Sequence, residues 1–360
     1  MDTSTIDIRF DNKGICNYCS DFKIKFKNFN NHDKNLKIKK LNDFIKKVKL
    51  DGKNQKYDCI IGISGGVDSS WALVKAIEHG LRPLAVHMDN GWNSELAQNN
   101  IYNLVNKLSI DLHTHVIEWE EYRELMIAFF KANVVDIELL YDNAMYAVNY
   151  KLCSKFNVKY ILSGMNLSTE GMAMPKNWAW LKFDYKNIKS IAKINSSAKI
   201  KSFTGIGTLG LFWYRIIRSC KWINFLDFFE YDKFHALDVL TKNYGFKPYP
   251  YKHYESFFTR FYQGYLLPKK FKIDKRRLHF STLIISEYMT RDQALEDLMK
   301  SSYGSETDLE NDIQYFLKKM KWEKKDLDDY LSYPPSEHDK FGSEKKLFYF
   351  FKSIYDKFFK

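Results

Sequence analysis

The stretch Ser64-Gly-Gly-Val-Asp-Ser-Ser70 follows the apolar run Tyr57–Ile63, and it decides our expectation for the fold. A short apolar run with a glycine-rich end is typical of a buried parallel strand. Two adjacent glycines let the backbone turn tightly and approach a ligand, because they carry no Cβ. The two closing serines are predicted to open a helix that ends near Glu78. The stretch therefore predicts a strand, a tight loop and a helix.

Strand and helix patterns alternate along the chain after this unit. Alternation of this kind predicts an α/β fold, a Rossmann-like parallel sheet covered by helices on both faces. Ligands of such sheets bind beyond the carboxyl ends of the strands. The further predicted strands are Leu84–Met88, His113–Ile117 and Lys159–Ser163, and the predicted helices between them are Glu95–Leu108 and Tyr122–Phe156.

The pattern divides the chain into three regions. Residues 1–56 hold a cysteine pair and a Lys- and Asn-rich surface helix, and residues 57–170 hold the nucleotide-binding α/β domain. Residues 171–360 are aromatic, basic and mostly helical, which predicts a substrate-binding extension packed on the α/β domain. Within it, Ser305–Ser332 is predicted to be a helical stretch that Pro334-Pro335 ends.

Composition limits the classes of function. The formal net charge is +12, which favours anionic partners, but lysines are spread along the whole chain. A solvated surface explains this spread better than a nucleic-acid face, where basic residues cluster. The longest apolar stretch, Phe203–Tyr214, is shorter than the roughly 20 residues of a membrane span. With no signal-peptide pattern and five cysteines that resemble reduced thiols, we expect a cytoplasmic protein without a membrane span.

The predicted loop suits phosphate. A helix N-terminus offers free N–H groups and the positive end of the helix dipole, and serine hydroxyls add donors. Asp68 is expected to bind Mg²⁺ or to cap the helix. The loop lacks the Gly-Lys-Ser/Thr ending of a Walker P-loop. It resembles the SGGxDS signature of the PP-loop ATP pyrophosphatases, which implies cleavage of ATP between the α- and β-phosphates. The candidate ATP ligands here are Ser64, Gly65, Gly66, Asp68, Ser69 and Ser70.

Two other strand ends are expected to reach the same site. Asp89 follows the second predicted strand and is a candidate for adenine or ribose, although a plain turn residue would explain it almost as well. Gly164 and Asn166 follow the fourth strand, with Glu170 shortly after. Gly164 permits close approach, and Asn166 or Glu170 could face phosphate, metal or substrate. A loop cap is the alternative for the last two.

Longer stretches resemble the N-acetyl sugar amidotransferase family, whose members act in bacterial lipopolysaccharide O-antigen and pseudaminic-acid-type pathways. The resemblance covers nearly the whole chain, and its long basic–aromatic motif is more specific than the loop. The matching stretches are Lys252–Ser256, Phe258–Arg277, Asp89–Glu95, Leu162–Glu170 and Thr290–Leu295.

The resemblance implies a reaction and partners. The acetamido oxygen of a nucleotide-linked N-acetyl sugar would attack the α-phosphate of ATP, giving an O-adenylyl imidate, and ammonia would displace AMP to leave an acetamidino group. Mg²⁺ and cationic side chains would neutralise the developing charge. Family members take ammonia from a glutaminase subunit that works with a cyclase-like barrel partner. No nucleic acid is expected as a partner.

The basic–aromatic motif contains most of the predicted catalytic and substrate residues. Its cations are candidates for phosphate, with solvated surface charge as the alternative. His253 and Glu255 are candidates for proton transfer, and a buried, hydrogen-bonded ring is the alternative for His253. The predicted catalytic residues are Asp68, Lys252, His253, Glu255 and Arg260, and the predicted substrate residues are Glu170, Lys269, Lys270, Arg276 and Arg277.

Cys16 and Cys19 have the spacing of half a zinc site, and a structural site needs about four ligands. In the resembled family a further cysteine pair precedes a Met-Asp-Thr-Ser-like stretch, and this sequence begins with Met1-Asp-Thr-Ser4. We therefore expect that two zinc ligands are missing from a shortened start. The rival interpretation of the whole chain is a tRNA-modifying PP-loop enzyme, either a thiolase or a lysidine synthetase. It draws on the positive charge, the aromatic residues and the cysteine pair.

Overall fold

A parallel sheet forms the centre of the molecule. The computed structural model describes residues 1–30, 34–196, 199–249 and 254–358. Within these residues it has one five-stranded sheet of order β3-β2-β1-β4-β5, and every pair of neighbouring strands is parallel. This confirms the predicted fold class. The strands are β1 (Cys59–Gly62), β2 (Pro83–Asp89), β3 (Leu112–Val116), β4 (Tyr160–Ser163) and β5 (Lys221–Asn224).

Helices cover both faces of the sheet and make up most of the region after residue 170. In the first half they are α1 (Asn17–Asn30), α2 (Lys34–Asp51), α3 (Val67–Glu78), α4 (Glu95–Leu108), α5 (Trp119–Ala132), α6 (Leu139–Lys155) and α7 (Leu167–Glu170). In the second half they are α8 (Tyr185–Asn195), α9 (Thr208–Phe212), α10 (Lys233–Tyr244), α11 (Phe257–Phe261), α12 (Arg276–Ile285), α13 (Arg291–Met299), α14 (Glu306–Met320), α15 (Lys324–Ser332) and α16 (Lys345–Phe358). Wider π-helical turns continue α9 over Trp213–Ile217 and α11 over Tyr262–Phe271, and 3-10 turns lie at Phe225–Phe228 and His338–Lys340.

Three sequence predictions differ from these elements. The helical region predicted over Tyr122–Phe156 consists of two helices, because Asn133 takes a left-handed conformation with φ 54° and ends α5 before α6 begins. Helix α3 begins at Val67, two residues earlier than predicted. Strand β5 was missed because its four residues show no strong apolar pattern. It comes from beyond residue 170, so the sheet extends past the predicted boundary of the α/β domain, and the division into three regions stays a prediction.

The helical second half shares a core with the α/β half. In the largest buried cluster, Phe129 of α5 packs together with Phe261 of α11 and Phe316 of α14. A second cluster joins Trp71 of α3 to Phe225 and Leu240. These shared cores fix the position of the second half relative to the carboxyl ends of the strands. No helix in the described part of the chain has the length and apolar character needed to cross a membrane.

Candidate active site

The loop after β1 needs its first glycine. Gly65 has φ +82°, a left-handed conformation, and a Cβ there would lie 2.7 Å from the carbonyl oxygen of Ala97 in α4. The Tyr249 hydroxyl donates to the carbonyl of Gly65 at 2.8 Å, which holds the loop from the other side. A side chain at position 65 would therefore clash with α4 as well as strain the backbone.

Serine hydroxyls hold the loop in shape. The Oγ atoms of Ser64 and Ser69 lie 3.2 Å apart, and the N–H of Gly66 donates to Ser64 Oγ at 3.3 Å. Helix α3 then begins at Val67. Its first N–H groups have no acceptor within the helix, and they form the positive end of the helix dipole. This arrangement fits a pyrophosphate group. Ser70 is buried, and a contact of its hydroxyl with ATP stays a prediction.

Asp68 does not cap the helix, so the cap interpretation is wrong. The N-cap is Gly66, and no side chain accepts a capping hydrogen bond there. The Asp68 carboxylate instead accepts a hydrogen bond from the Tyr231 hydroxyl, and its other oxygen lies 3.6 Å from Lys233 Nζ. A partly exposed carboxylate beside a phosphate loop fits the oxygen ligands that Mg²⁺ prefers. No sequence motif singles out Tyr231 or Lys233.

The end of β2 is organised by side chain to backbone hydrogen bonds. Asp89 Oδ1 accepts from the N–H of Gly91 at 2.8 Å and from the Asn93 amide at 3.3 Å. These contacts are those of a turn aspartate, the alternative that the sequence left open. A role of Asp89 in binding adenine or ribose stays a prediction.

The end of β4 packs directly on the phosphate loop. A Cβ at Gly164 would lie 2.6 Å from the backbone of Asp68 and Ser69, so only glycine fits there. Asn166 caps α7, because its Oδ1 accepts from the N–H of Thr169 at 2.9 Å. Its buried Nδ2 has no hydrogen-bond partner among the described residues. Glu170 is exposed at the end of α7. Gly164 thus acts in packing, and ligand contacts of Asn166 and Glu170 stay predictions.

A cavity of about 600 Å³ opens between the loop and the helical second half. Ser64 of the loop lies at its wall, and so does Glu255 from the basic–aromatic motif. Its other polar and charged walls come from Asn90, Asn93, Glu138, Asp142, Lys176, Lys182, Ser256, Thr259, Gln263, Lys275 and Lys345, and aromatic walls from Tyr122, Tyr141, Trp180, Phe258 and Tyr349.

Two ion-pair groups line this cavity. Lys182 Nζ lies 2.7 Å from Asp136 and 2.8 Å from Asp142. Burial alone would lower the pKa of Lys182, but the two carboxylates outweigh it and raise that pKa, so the lysine stays charged. Lys275 Nζ lies 2.9 Å from Glu138, which also accepts from the Gln263 amide at 2.9 Å. Both groups were missed in the sequence analysis, because the partners are far apart in the chain. Gln263 and Lys275 belong to the basic–aromatic motif, but they lie 125 and 137 residues from Glu138.

Two of the cations predicted to bind phosphate have protein partners. Arg260 forms a two-bond ion pair with Asp312, at 2.7 and 2.6 Å. Lys270 Nζ is buried and donates to the carbonyls of Tyr330 and Tyr333, and burial lowers its pKa to about 8.

The remaining predicted residues are likewise scattered. Arg276 pairs with Asp274 at 2.8 Å, Arg277 pairs with Asp2 at 2.9 Å, and Lys269 is exposed. None of the five described cations, Arg260, Lys269, Lys270, Arg276 and Arg277, lines the cavity. Arg260, Lys270 and Arg276 thus have structural contacts, and their contacts with phosphate or substrate stay predictions. Lys252 and His253 lie outside the described residues.

The cysteine pair lies in an apolar cluster next to α7. The N–H of Cys19 points at Cys16 Sγ at 3.4 Å, and burial raises the pKa of Cys19 to about 11. Residues 1–30, 34–196, 199–249 and 254–358 contain no group of three or more His, Cys, Asp or Glu side chains placed to hold a metal ion. Two thiols alone fall short of a structural zinc site, so zinc is not supported.

Comparison with known proteins agrees with this arrangement. Residues 37–168 match the family model described as NAD synthase. Fold and loop together define a nucleotide-binding protein of the PP-loop class, with an NAD-synthase-like domain. Residues 255–355 match the model described as LPS biosynthesis protein WbpG-like, C-terminal domain. The chain therefore joins a PP-loop domain to a WbpG-like C-terminal domain, which confirms the family resemblance seen in the sequence. No curated protein matches the chain significantly.

The solved structures that match the chain include two synthetases. The NH3-dependent NAD synthetase from Campylobacter jejuni subsp. jejuni NCTC 11168, in complex with the nitrate ion, is 14% identical with a TM-score of 0.33 and covers 75% of this chain and 98% of its own. The NMN synthetase from Francisella tularensis is 16% identical with a TM-score of 0.28 and covers 50% of this chain and 71% of its own.

Proposed function

We propose that the protein is an ATP-dependent amidotransferase of bacterial surface-glycan biosynthesis, which converts the acetamido group of a nucleotide-linked N-acetyl sugar to an acetamidino group. One observation carries the proposal. A single cavity is lined by Ser64 of the phosphate loop, in the NAD-synthase-like part, and by Glu255, Gln263 and Lys275 of the WbpG-like part. An acceptor held by the second part can thus reach ATP held by the first.

The proposed reaction begins with activation of the acetamido oxygen. That oxygen attacks the α-phosphorus of ATP, the bond to the β-phosphate oxygen breaks, and pyrophosphate leaves. The loop Ser64–Ser69 and the start of α3 hold the pyrophosphate, with Lys233 as a nearby cation. Asp68 is the candidate ligand for Mg²⁺, which when bound neutralises charge on the phosphate oxygens. An amide carbon becomes reactive by this step because its oxygen now belongs to AMP.

The second step replaces AMP by nitrogen. Ammonia attacks the imidate carbon, the bond from carbon to the AMP oxygen breaks, and a proton leaves the nitrogen. Glu255 lies at the cavity wall beside the loop and is our candidate to receive that proton. Asn90, Asn93 and Gln263 supply amide donors and acceptors for the sugar, and the aromatic wall suits the apolar face of a sugar ring or base.

Ammonia is proposed to come from a glutaminase subunit acting with a cyclase-like barrel partner. None of the five cysteines stands in the Gly-x-Cys-x-Gly context of a glutaminase nucleophile, so this sequence supplies no glutaminase site of a kind that we recognise. Free ammonium should then replace the partner in solution, whereas glutamine alone should not.

The test is incubation of the protein with ATP, Mg²⁺, ammonium and a panel of UDP- and CMP-linked N-acetyl sugars. We expect AMP and pyrophosphate in equal amounts, and a sugar product in which NH has replaced O, identified by mass spectrometry. ATP cleavage that responds to no sugar but is stimulated by tRNA would instead support the RNA-modifying alternative. ADP formation would exclude the proposed cleavage.

A further inference from the structure

Helices α9 and α16 form a parallel pair at one edge of the molecule. The N–H of Thr208, at the start of α9, donates to the Glu344 carboxylate just before α16. About one turn further along, the ring of Phe212 lies 5.4 Å from that of Phe351 and 6.2 Å from that of Phe348. The start of α9 contacts the start of α16, and the next turn of α9 contacts later turns of α16. The two helices therefore run in the same direction.

Each helix of the pair carries an exposed apolar stripe. Leu209 and Trp213 are four residues apart and are 61% and 47% exposed. On α16, Leu347, Phe350 and Phe358 are separated by three and eight residues, which places them on one stripe of a helix. No residue of the described helix α16 is fully buried, although six of its residues are Phe or Tyr. This is unusual for aromatic side chains of a helix that only packs on its own protein.

Helical geometry places the two stripes on the same side of the pair. A helix rotates by about 100° per residue. Viewed along the axis of α9, the stripe of Leu209 and Trp213 is rotated in one sense from the side on which Phe212 contacts α16. Viewed in the same direction along α16, the stripe of Leu347 and Phe350 is rotated in the opposite sense from the side on which Phe348 and Phe351 contact α9. When two parallel helices are in contact, stripes rotated in opposite senses from the contact face the same side of the pair. We call the resulting surface, made of Leu209, Trp213, Leu347, Phe350 and Phe358, the aromatic edge.

Lysines border the aromatic edge on α16. Lys346, Lys352 and Lys357 are exposed on α16, and Asp356 is the one acidic residue of the helix Lys345–Phe358. Lysine is depleted from the centres of protein–protein interfaces. Aromatic and aliphatic side chains with interleaved lysines are instead typical of helices that lie in the headgroup region of an anionic bilayer.

We propose that the aromatic edge docks this protein on an anionic lipid bilayer. The apolar stripe enters the boundary between headgroups and acyl chains, and Lys346 and Lys357, which flank the stripe at about 100° per residue, pair with lipid phosphates. Lys345 and Tyr349 of the same helix line the cavity, and at about 100° per residue they lie on the other side of α16 from the stripe, so docking does not cover the cavity. The proposal is independent of the reaction, because it depends on α9 and α16 alone.

The test is flotation of the full chain with vesicles of phosphatidylethanolamine mixed with phosphatidylglycerol, and with vesicles of phosphatidylcholine. We expect binding to the anionic vesicles only, weakened by salt. Reversing the three charges in Lys346→Glu/Lys352→Glu/Lys357→Glu should lower the partition coefficient by roughly tenfold or more. The matched control Lys39→Glu/Lys46→Glu/Lys47→Glu changes the same net charge on exposed positions of α2 and should keep binding.

A second pair of variants separates insertion from charge alone. Phe350→Ser removes an aromatic ring that is 60% exposed on the edge, and Tyr102→Ser removes one that is 66% exposed on α4. Only the first should weaken vesicle binding, with an unchanged thermal midpoint for both. Absence of binding to anionic vesicles would overturn the proposal, and so would equal losses in both charge variants. A Phe350→Ser effect on self-association instead of vesicle binding would assign the edge to a second copy of the chain.

Discussion

The Tyr231 hydroxyl donates a hydrogen bond to the carboxylate of Asp68, the acidic residue of the phosphate loop. Tyr231 lies in the segment that leads into α10, far from the loop in sequence, and the Tyr288 hydroxyl holds it by donating to its carbonyl at 2.9 Å. Burial, reinforced by Asp68, raises the pKa of Tyr231, so the phenol remains a donor at every physiological pH. The orientation of the Asp68 carboxylate thus depends on a tyrosine of the second half.

Replacing this tyrosine should weaken activity without unfolding the protein. Tyr231→Phe removes a hydrogen bond to a charged group, a contact of about 1.5–3 kcal/mol, and leaves Asp68 less well oriented. We expect kcat/KM for ATP, measured by pyrophosphate release, to fall by roughly tenfold. The half-saturating concentration of Mg²⁺ should rise at the same time.

The control for this prediction is Tyr102→Phe, at an exposed tyrosine of α4. It should change neither quantity. Equal Mg²⁺ dependence in the wild type and Tyr231→Phe would show that the hydrogen bond does not position Asp68 for metal.

A methyl group at Gly164 should disturb the phosphate loop. The Cβ of Gly164→Ala would lie 2.6 Å from the backbone of Asp68, and overpacking of this kind costs roughly 1–3 kcal/mol. We expect lower stability by denaturant unfolding, and a loss of pyrophosphate release larger than the unfolded fraction explains.

The matched substitution is Gly210→Ala in α9, where the nearest atom to a Cβ is Ile206 Cγ1 at 3.6 Å. This variant should be as stable as the wild type or gain up to about 1 kcal/mol, because alanine favours helix. If Gly164→Ala and Gly210→Ala have the same stability and the same pyrophosphate release, the close contact between β4 and the loop does not require glycine at position 164.

Lys275 should matter for the acceptor rather than for ATP. Its Nζ is held by Glu138 at the cavity wall, and Lys275 belongs to the WbpG-like part, which is proposed to hold the acceptor. We expect Lys275→Gln to raise the KM of the nucleotide-linked sugar by roughly tenfold, as for loss of one charge-assisted hydrogen bond, with the KM of ATP unchanged.

Lys269→Gln is the control from the same motif, since Lys269 is exposed and does not line the cavity. It should leave both KM values as they are. An increase in the KM of ATP alone for Lys275→Gln would contradict the placement of the acceptor.

Stability should fall with acid because of His338. Burial lowers its pKa from about 6.5 to about 4, and its ring stacks on Trp180 at 4.9 Å. Its Nδ1 lies 2.7 Å from Asn187 Oδ1, and its Nε2 accepts from the N–H of Asp136, an arrangement that suits the neutral ring. In the unfolded chain the ring binds a proton at higher pH than in the folded one. Its contribution is therefore complete above pH 6.5 and is lost as the pH falls towards 4.

We expect the free energy of unfolding to drop by up to about 3 kcal/mol across this interval through this one group. Measurement by denaturant titration at a series of pH values, for the wild type and His338→Gln, isolates the term. The variant should show a shallower decline between the two pH values. The same slope in both proteins would mean that other groups control acid stability.

The sequence predicted those features that local chemistry determines. The loop Ser64–Ser70 can be recognised in the sequence, because the left-handed Gly65 and the helix that follows it are adjacent in the chain. Four strands followed from their apolar runs for the same reason. In contrast, β5 has only four residues, and it joins the sheet through pairing with β4 rather than through its own pattern.

Long-range pairing explains what the sequence could not give. The sequence predicts Arg260 as a phosphate ligand. In the structure its guanidinium forms an ion pair with Asp312, 52 residues away. A motif shows that a cation is present, but it does not show whether a distant carboxylate already neutralises that cation. The cavity network of Lys182 with Asp136 and Asp142 was missed for the same reason, since contact between these side chains exists only in the folded chain.

The most direct test of the proposed reaction follows the acetamido oxygen. The substrate is a nucleotide-linked N-acetyl sugar with a heavy oxygen isotope in the acetamido carbonyl, incubated with the protein, ATP, Mg²⁺ and ammonium. Since that oxygen is proposed to attack the α-phosphorus, we expect the label in AMP and none in pyrophosphate. Label that remains in the sugar, or that appears in water or inorganic phosphate, would contradict activation by adenylation.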